Sequence, residues 1–190
     1  MKSLTLRSSV ALACALSLAA CGGGGGNLLL GGTVSGLTKD GLVLVNNGGA
    51  PLTIASGQTT FAFPDLLKSD EDFNITIKSA PASAVCTVVN GKGRTGAFNI
   101  TSVQVNCVTN TYALGGSISG LDAGGLVLNN GADRVTVAAG ATSFSLNKVA
   151  DGAPYGVTVL TQPTGRNCTV QNGVGTMGAA AVSNVQVTCL

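Results

Sequence analysis

Cysteines, carboxylates and lysines are the residues of this chain with the chemistry to react or to bind a metal. Six Cys, eight Asp or Glu and ten Lys or Arg stand among 190 residues, with no His and no Trp. Without an imidazole there is no Ser-His-Asp triad, no Cys-His dyad and no histidine metal ligand, which closes the commonest general acid-base route. A serine nucleophile would have to use lysine as its base, and no such catalytic pair is expected. The carboxylates are Asp40, Asp65, Asp70, Glu71, Asp72, Asp122, Asp133 and Asp151, and the one cluster is Asp70-Glu71-Asp72 with Asp65 nearby. Oxygen ligands so spaced could hold Ca²⁺ in a loop, and the same residues also read as a solvated turn. No enzyme activity and no cofactor are expected. A net charge of +2 offers no electrostatic footprint for nucleic acid.

Cys21 is the cysteine with the most specific surroundings. Lys2 and Arg7 precede the apolar run Val10 to Leu18, which is too short to span a bilayer, since that needs about 20 residues. The run ends in Leu18-Ala19-Ala20-Cys21. These four residues resemble the lipobox of bacterial lipoproteins. The resemblance implies a signal peptide over residues 1–20, a diacylglycerol on the Cys21 sulfur, and cleavage that leaves Cys21 as an acylated N-terminus. Several acyl chains exceed the two signals that stable anchoring takes. Gly22 to Gly26 and Asn27 complete a tether over 21–27, with an expected r.m.s. reach on the order of 13 Å. In enterobacterial lipoproteins an Asp after the lipidated cysteine retains the protein in the inner membrane. Gly22 in that place implies an outer-membrane location. Cys14, inside the apolar run, reads as a small hydrophobe.

The rest of the chain is an internal duplication. Leu30-Gly-Gly-Thr-Val-Ser-Gly-Leu37 recurs 84 residues later as Leu114-Gly-Gly-Ser-Ile-Ser-Gly-Leu121, and Gly41-Leu-Val-Leu44 as Gly125-Leu-Val-Leu128. Cys86-Thr-Val-Val-Asn-Gly returns as Cys168-Thr-Val-Gln-Asn-Gly, and Val103-Gln-Val-Asn-Cys107 as Val185-Gln-Val-Thr-Cys189, with the offset reduced to 82. Two residues are therefore missing from a loop of the second copy. Each copy of about 80 residues is of domain size and exceeds a solenoid unit, so the expectation is two domains, 28–109 and 110–190.

Within a copy the apolar period is two. Thr33 to Leu37, Leu42 to Val45, Leu52 to Ile54, Thr60 to Phe63, Phe73 to Ile77, Cys86 to Val89 and Val103 to Cys107 read as seven short strands bounded by Gly, Asn, Asp or Pro. Seven strands at this spacing predict an all-β fold, with one antiparallel β-sandwich per copy. The strand pattern resembles the immunoglobulin-like and prealbumin-like modules of bacterial secreted proteins. That resemblance implies a fold and carries no family active site. In such modules of Gram-positive surface proteins a Lys-Asn isopeptide sometimes forms beside a buried acid. Lys78 has no lysine counterpart in copy two and Glu71 is the sole Glu, so this cross-link is not expected.

Four cysteines remain, and four allow three connectivities. Cys86 and Cys107 are 21 apart, as are Cys168 and Cys189 at the matched positions, so pairing within each copy is favoured, tying a late strand to the last. Closing such a loop is worth about 3 kcal/mol in the chain-entropy account, and an exported chain meets an oxidising compartment. No Cys-x-x-Cys spacing supports zinc.

Phe61, Phe63, Phe73, Phe144 and Tyr155 fall on alternating positions that read as core, so they form no sugar or base platform. Phe98 and Tyr112 have no evident match, and Tyr112 at the join is expected to pack between the domains. With 9% charged residues against the usual 25% or so, the surface must be Ser, Thr, Asn and Gly. Three roles fit these features. The first is a lipid-anchored surface module that binds an unidentified protein in adhesion or as an antigen. The second is a periplasm-facing structural or accessory lipoprotein. The third is a Ca²⁺ or carbohydrate binder.

Overall fold

The computed structural model describes residues 27–190; the expected signal peptide, Cys21 and the glycine run lie outside the described residues. The first copy holds β1 (Leu30–Ser35), β2 (Leu42–Asn46), β3 (Leu52–Ile54), β4 (Thr60–Ala62), β5 (Asp72–Ser79), β6 (Ala84–Val89), β7 (Lys92–Arg94) and β8 (Ile100–Thr109). The second holds β9 (Thr111–Ser119), β10 (Leu126–Asn130), β11 (Asp133–Val137), β12 (Ser143–Ala150), β13 (Pro154–Thr161), β14 (Cys168–Gln171), β15 (Val174–Thr176) and β16 (Val182–Cys189).

Each copy arranges its strands as two four-stranded sheets, β4-β1-β8-β6 over β3-β2-β5-β7 and β12-β9-β16-β14 over β11-β10-β13-β15. Alternate residues point inward from both sheets of a unit and meet in one core. In copy one Leu30, Val34, Val103 and Val105 face Leu42, Leu44, Phe73 and Ile75. Copy two does the same with Leu114, Ile118, Val185 and Val187 against Leu126, Leu128 and Val157. Fully burying such a side chain contributes about 1.5–3 kcal/mol.

Two features depart from the sequence expectation. Each unit has an eighth strand, because Lys92-Gly93-Arg94 and Val174-Gly175-Thr176 pair with β5 and β13. Lys-Gly-Arg has no apolar alternation to announce a strand. Its central glycine instead lies under an aromatic ring across the ladder, Gly93 under Phe73 and Gly175 under Tyr155. Pairing is also not antiparallel throughout. β1 runs parallel to β8, and β9 parallel to β16.

That parallel contact explains the repeated Leu-Gly-Gly-x-x-x-Gly-Leu. A Cβ on Gly32 or Gly116 would run into the backbone carbonyl of Val103 or Val185, so only glycine lets the strands approach there. Gly36 and Gly120 end the strands at φ +70° and +72°, against the carbonyls of Cys107 and Cys189. The repeat signature is thus a closure device of the sandwich.

The two residues missing from copy two come from two loops. In the β2-β3 pair Leu42 faces Ile54, and in the β10-β11 pair Leu126 faces Val137, one residue nearer along the chain. The second loss falls between the Phe63 and Leu67 positions. There β4 stops before Pro64 and an isolated Leu28-Leu67 bridge follows, whereas β12 continues past a bulge to pair with β9 as far as Ala150. Tyr112 pairs with Val149 as Leu28 pairs with Leu67, so Tyr112 is the counterpart of Leu28. It packs half-buried on the core of the second copy and is not an inter-domain wedge.

Candidate functional site

In each copy the two described cysteines occupy adjacent strands of one sheet. Cys86 on β6 stands directly across the ladder from Cys107 on β8, and Cys168 on β14 from Cys189 on β16; both pairs are disulfide-bonded. Cys107, Cys168 and Cys189 are buried, and Cys86 packs half-exposed on the same core face. Each bridge therefore staples two neighbouring strands and joins no opposing sheets.

The acidic cluster is spent on its own loop. Glu71 Oε2 accepts the Lys68 N–H at 2.8 Å. Asp70, at φ +61°, lies 3.6 Å from Arg94 with both side chains exposed. Asp72 opens β5, where its carbonyl accepts Asn47 Nδ2 at 2.8 Å. The knot beneath them is the buried Thr95, whose hydroxyl accepts the Glu71 N–H at 2.8 Å and donates to the Lys68 carbonyl at 2.5 Å. Among the described residues no three acidic or cysteine side chains gather as a metal-ligating group, so Asp70, Glu71 and Asp72 do not converge as a Ca²⁺ site. Copy two has the buried Met177 at the place of Thr95, keeping the backbone pairing without the polar knot.

The other carboxylates also organise loops. Asp40 Oδ1 accepts the Ser56 N–H at 2.7 Å, and that bond holds the carboxyl below its usual pKa. Asp133 accepts both the N–H and the side-chain amide of Asn147 at 2.7 Å. Asp122 is paired with Arg166, whose hydrogen bonds lower the carboxyl pKa and raise that of the guanidinium. Asp151 of copy two pairs with Lys39 of copy one, and its N–H donates to the Asn110 carbonyl at 2.9 Å. The chain contains one Ser-x-x-Lys spacing after Cys21, at Ser145-Leu146-Asn147-Lys148. It straddles the β12 bulge, and the Ser145 hydroxyl donates to the Leu146 carbonyl at 3.4 Å.

Phe61, Phe63, Phe73 and Phe144 are buried and Tyr155 is half-buried, as their alternation predicts. Phe98 is the exception, 83% exposed in the β7-β8 loop. Its exposure has no signature in the sequence beyond the lack of a partner in copy two.

Sheet edges supply the remaining candidate. Most are defended by brevity, charge or irregularity. β3, β4, β7 and β15 have three residues each and β14 has four. β7 bears Lys92 and Arg94, β11 bears Asp133 and Arg134, and β12 is bulged and bears Lys148. β6 has six residues, no charge and no bulge. The Cα atoms of Cys86 and Cys107 are 4.0 Å apart, the narrow spacing of a non-hydrogen-bonded pair. By alternation, the N–H and C=O groups of Cys86 and Val88 point to the open edge. Val85, 62% exposed, Val89 and Val108 lie on the outer face beside it, where copy two has Asn167, Gln171 and Leu190.

No protein-family model matches the chain, and no curated protein matches it. Among solved structures the chain is similar to the Bacillus anthracis TIE protein, with a TM-score of 0.47 and 13% identity over 84% of this chain. It spans 33% of that protein's length. It is also similar to the shaft pilin SpaA of Lactobacillus rhamnosus GG, with a TM-score of 0.30 and 13% identity, covering 85% of this chain and 96% of the pilin.

Proposed function

We propose that this chain is a non-catalytic lipoprotein of the bacterial cell envelope, anchored in the outer membrane through acyl chains on Cys21 and displayed at the surface. In this reading two domains, 28–109 and 110–190, stand on the 21–27 tether, and the first binds another protein by taking a strand of that partner onto the edge of β6. The observation that carries it is that edge: six uncharged residues with outward hydrogen-bonding groups and a valine outer face, in a fold whose other edges are short, charged or bulged. Strand addition draws affinity from main-chain hydrogen bonds and specificity from alternate side chains, which suits a surface poor in charge. The carboxylates and glycines described above serve loops and strand contacts, which supports a binding role over a catalytic one.

The anchor is tested by feeding cells an alkyne fatty acid. The wild-type chain takes the label and fractionates with the outer membrane, while Cys21→Ser is unlabelled. An unlabelled wild-type chain contradicts the anchor. The binding edge is tested with a photo-crosslinker at Thr87 on β6 and at its counterpart Thr169 on β14. The expected adduct forms from position 87 and is lost in Val85→Lys/Val89→Lys; equal adducts from both positions contradict the assignment to β6.

A further inference from the structure

We infer that the pole of the first sandwich from which the tether leaves is a lipid-contacting surface, with Phe98 and Leu66 seated in the headgroup region of the membrane. The inference rests on the anchor at Cys21. Residues 28 and 29 are held on both sides at this pole. On one side the Asn27 and Leu28 N–H groups donate to the Leu67 carbonyl at 3.1 and 3.0 Å. On the other the Leu29 N–H donates to Asn99 Oδ1 at 2.8 Å, and the Ile100 N–H to the Leu29 carbonyl at 2.8 Å. Leu66 and Phe98 precede these flanking partners, so they stand on segments one strand spacing either side of the incoming chain, about 10 Å apart. They are 49% and 83% exposed.

The second copy shows what such a pole looks like when it faces protein. There Asp151 meets Lys39 and Asn110, and the counterparts of Leu66 and Phe98 are Lys148 and Ala180. Of these two equivalent poles, the one at which the described chain begins carries the large apolar pair, and the other has Lys148 and Ala180 in its place. From Cys21 to Asn27 the chain spans at most about 21 Å fully extended, so this pole is confined to the membrane surface whatever the path. Confinement makes a contact of two side chains effective that would be negligible in free solution. Phenylalanine and leucine are side chains that interfacial segments bury at the headgroup and acyl boundary. Asp65, Asp70, Glu71 and Asp72 outnumber Lys68 and Arg94 in the segments that carry Leu66 and Phe98, which disfavours anionic lipid and leaves zwitterionic lipid as the surface to test.

The absence of Trp in the native chain makes the test clean, because Phe98→Trp introduces the sole indole, which is excited apart from Tyr112 and Tyr155. The acylated mature protein carrying Phe98→Trp is placed in phosphatidylcholine vesicles with and without brominated acyl chains, and Ala180→Trp serves as the matched control. The expected result is a blue-shifted emission from the fluorophore at position 98, which loses most of its intensity to the brominated lipid, while the control at position 180 keeps its own. In the unsubstituted chain, amide exchange over residues 95–99 slows on the same vesicles. Flotation of the vesicles reads the anchor separately. A chain that floats with an unquenched fluorophore at position 98 overturns the lipid-contacting pole and leaves the anchor standing. If the chain isolated from cells carries no acyl group, the anchor reading has failed. The Cys21 thiol is then coupled to a maleimide lipid, and an unquenched fluorophore at position 98 there also overturns the proposal.

Discussion

At the residue scale the glycines and carboxylates divide by what surrounds them. Gly32→Ala or Gly116→Ala places a methyl against the backbone of the parallel neighbour, and a loss of about 3 kcal/mol or more in urea unfolding is expected. Gly96→Ala meets nothing within 4 Å and has an ordinary backbone, so it is expected to be neutral or to stabilise by about 0.4–1 kcal/mol. Equal losses at Gly32 and Gly96 contradict the close-approach explanation. Asp40 and Asp122 have folded pKa values below the usual 3.8, the first through the Ser56 N–H and the second through Arg166. Each contributes stability that is present above its unfolded pKa and is lost as pH falls through the lowered folded value. Melting temperature is therefore expected to decline below about pH 4, and Asp40→Asn and Asp122→Asn to flatten that decline. The sequence marked Asp70, Glu71 and Asp72 as a cluster but could not show their directions. A left-handed residue at Asp70 and a buried hydroxyl at Thr95 turn them into a loop clasp, and neither is visible as a spacing.

At the element scale the period of two made seven strands of each copy readable, because alternate apolar residues are the direct cause of a half-buried strand. β7 escaped since its stabilising contact is the Phe73 ring over Gly93, supplied by another strand. The parallel β1-β8 contact escaped for the same reason: its signal is the absence of a Cβ, which reads equally as a turn. Cysteine spacing foretold the bridges, while their position within one sheet depends on ladder register. Full reduction is expected to raise the intact mass of the mature chain by four hydrogens, and an unchanged mass contradicts two bridges. Cys86→Ala/Cys107→Ala is expected to lose about 3 kcal/mol of stability, measured by denaturant unfolding. Val85→Lys/Val89→Lys changes only outward side chains, so its unfolding free energy is expected to stay within about 0.5 kcal/mol of wild type. A larger change would mean the valines serve the fold and not an edge kept open for binding.

At the scale of the whole molecule the duplication is informative where its copies differ. Matched positions carry cores, cystines and closing glycines; unmatched ones carry Lys39 and Asp151 across the join, the valines at β6, and Phe98 and Leu66 at the pole where the described chain begins. Lys39 and Asp151 have Ala123 and Ser69 at the equivalent places, so the pair is specific to this joint. Lys39→Ala is expected to widen the distribution of end-to-end distances measured between spin labels on the two units, and an unchanged distribution would show that Asn110 and its backbone contacts suffice. In the proposed function two stapled sandwiches meet a partner outside the cell. Protease treatment and antibody labelling of unbroken cells, with a periplasmic protein as the leakage control, tests that most directly. The expected result is a chain that is labelled and cut while the control stays intact. Protection until the outer membrane is opened would contradict it and turn the search to partners within the periplasm.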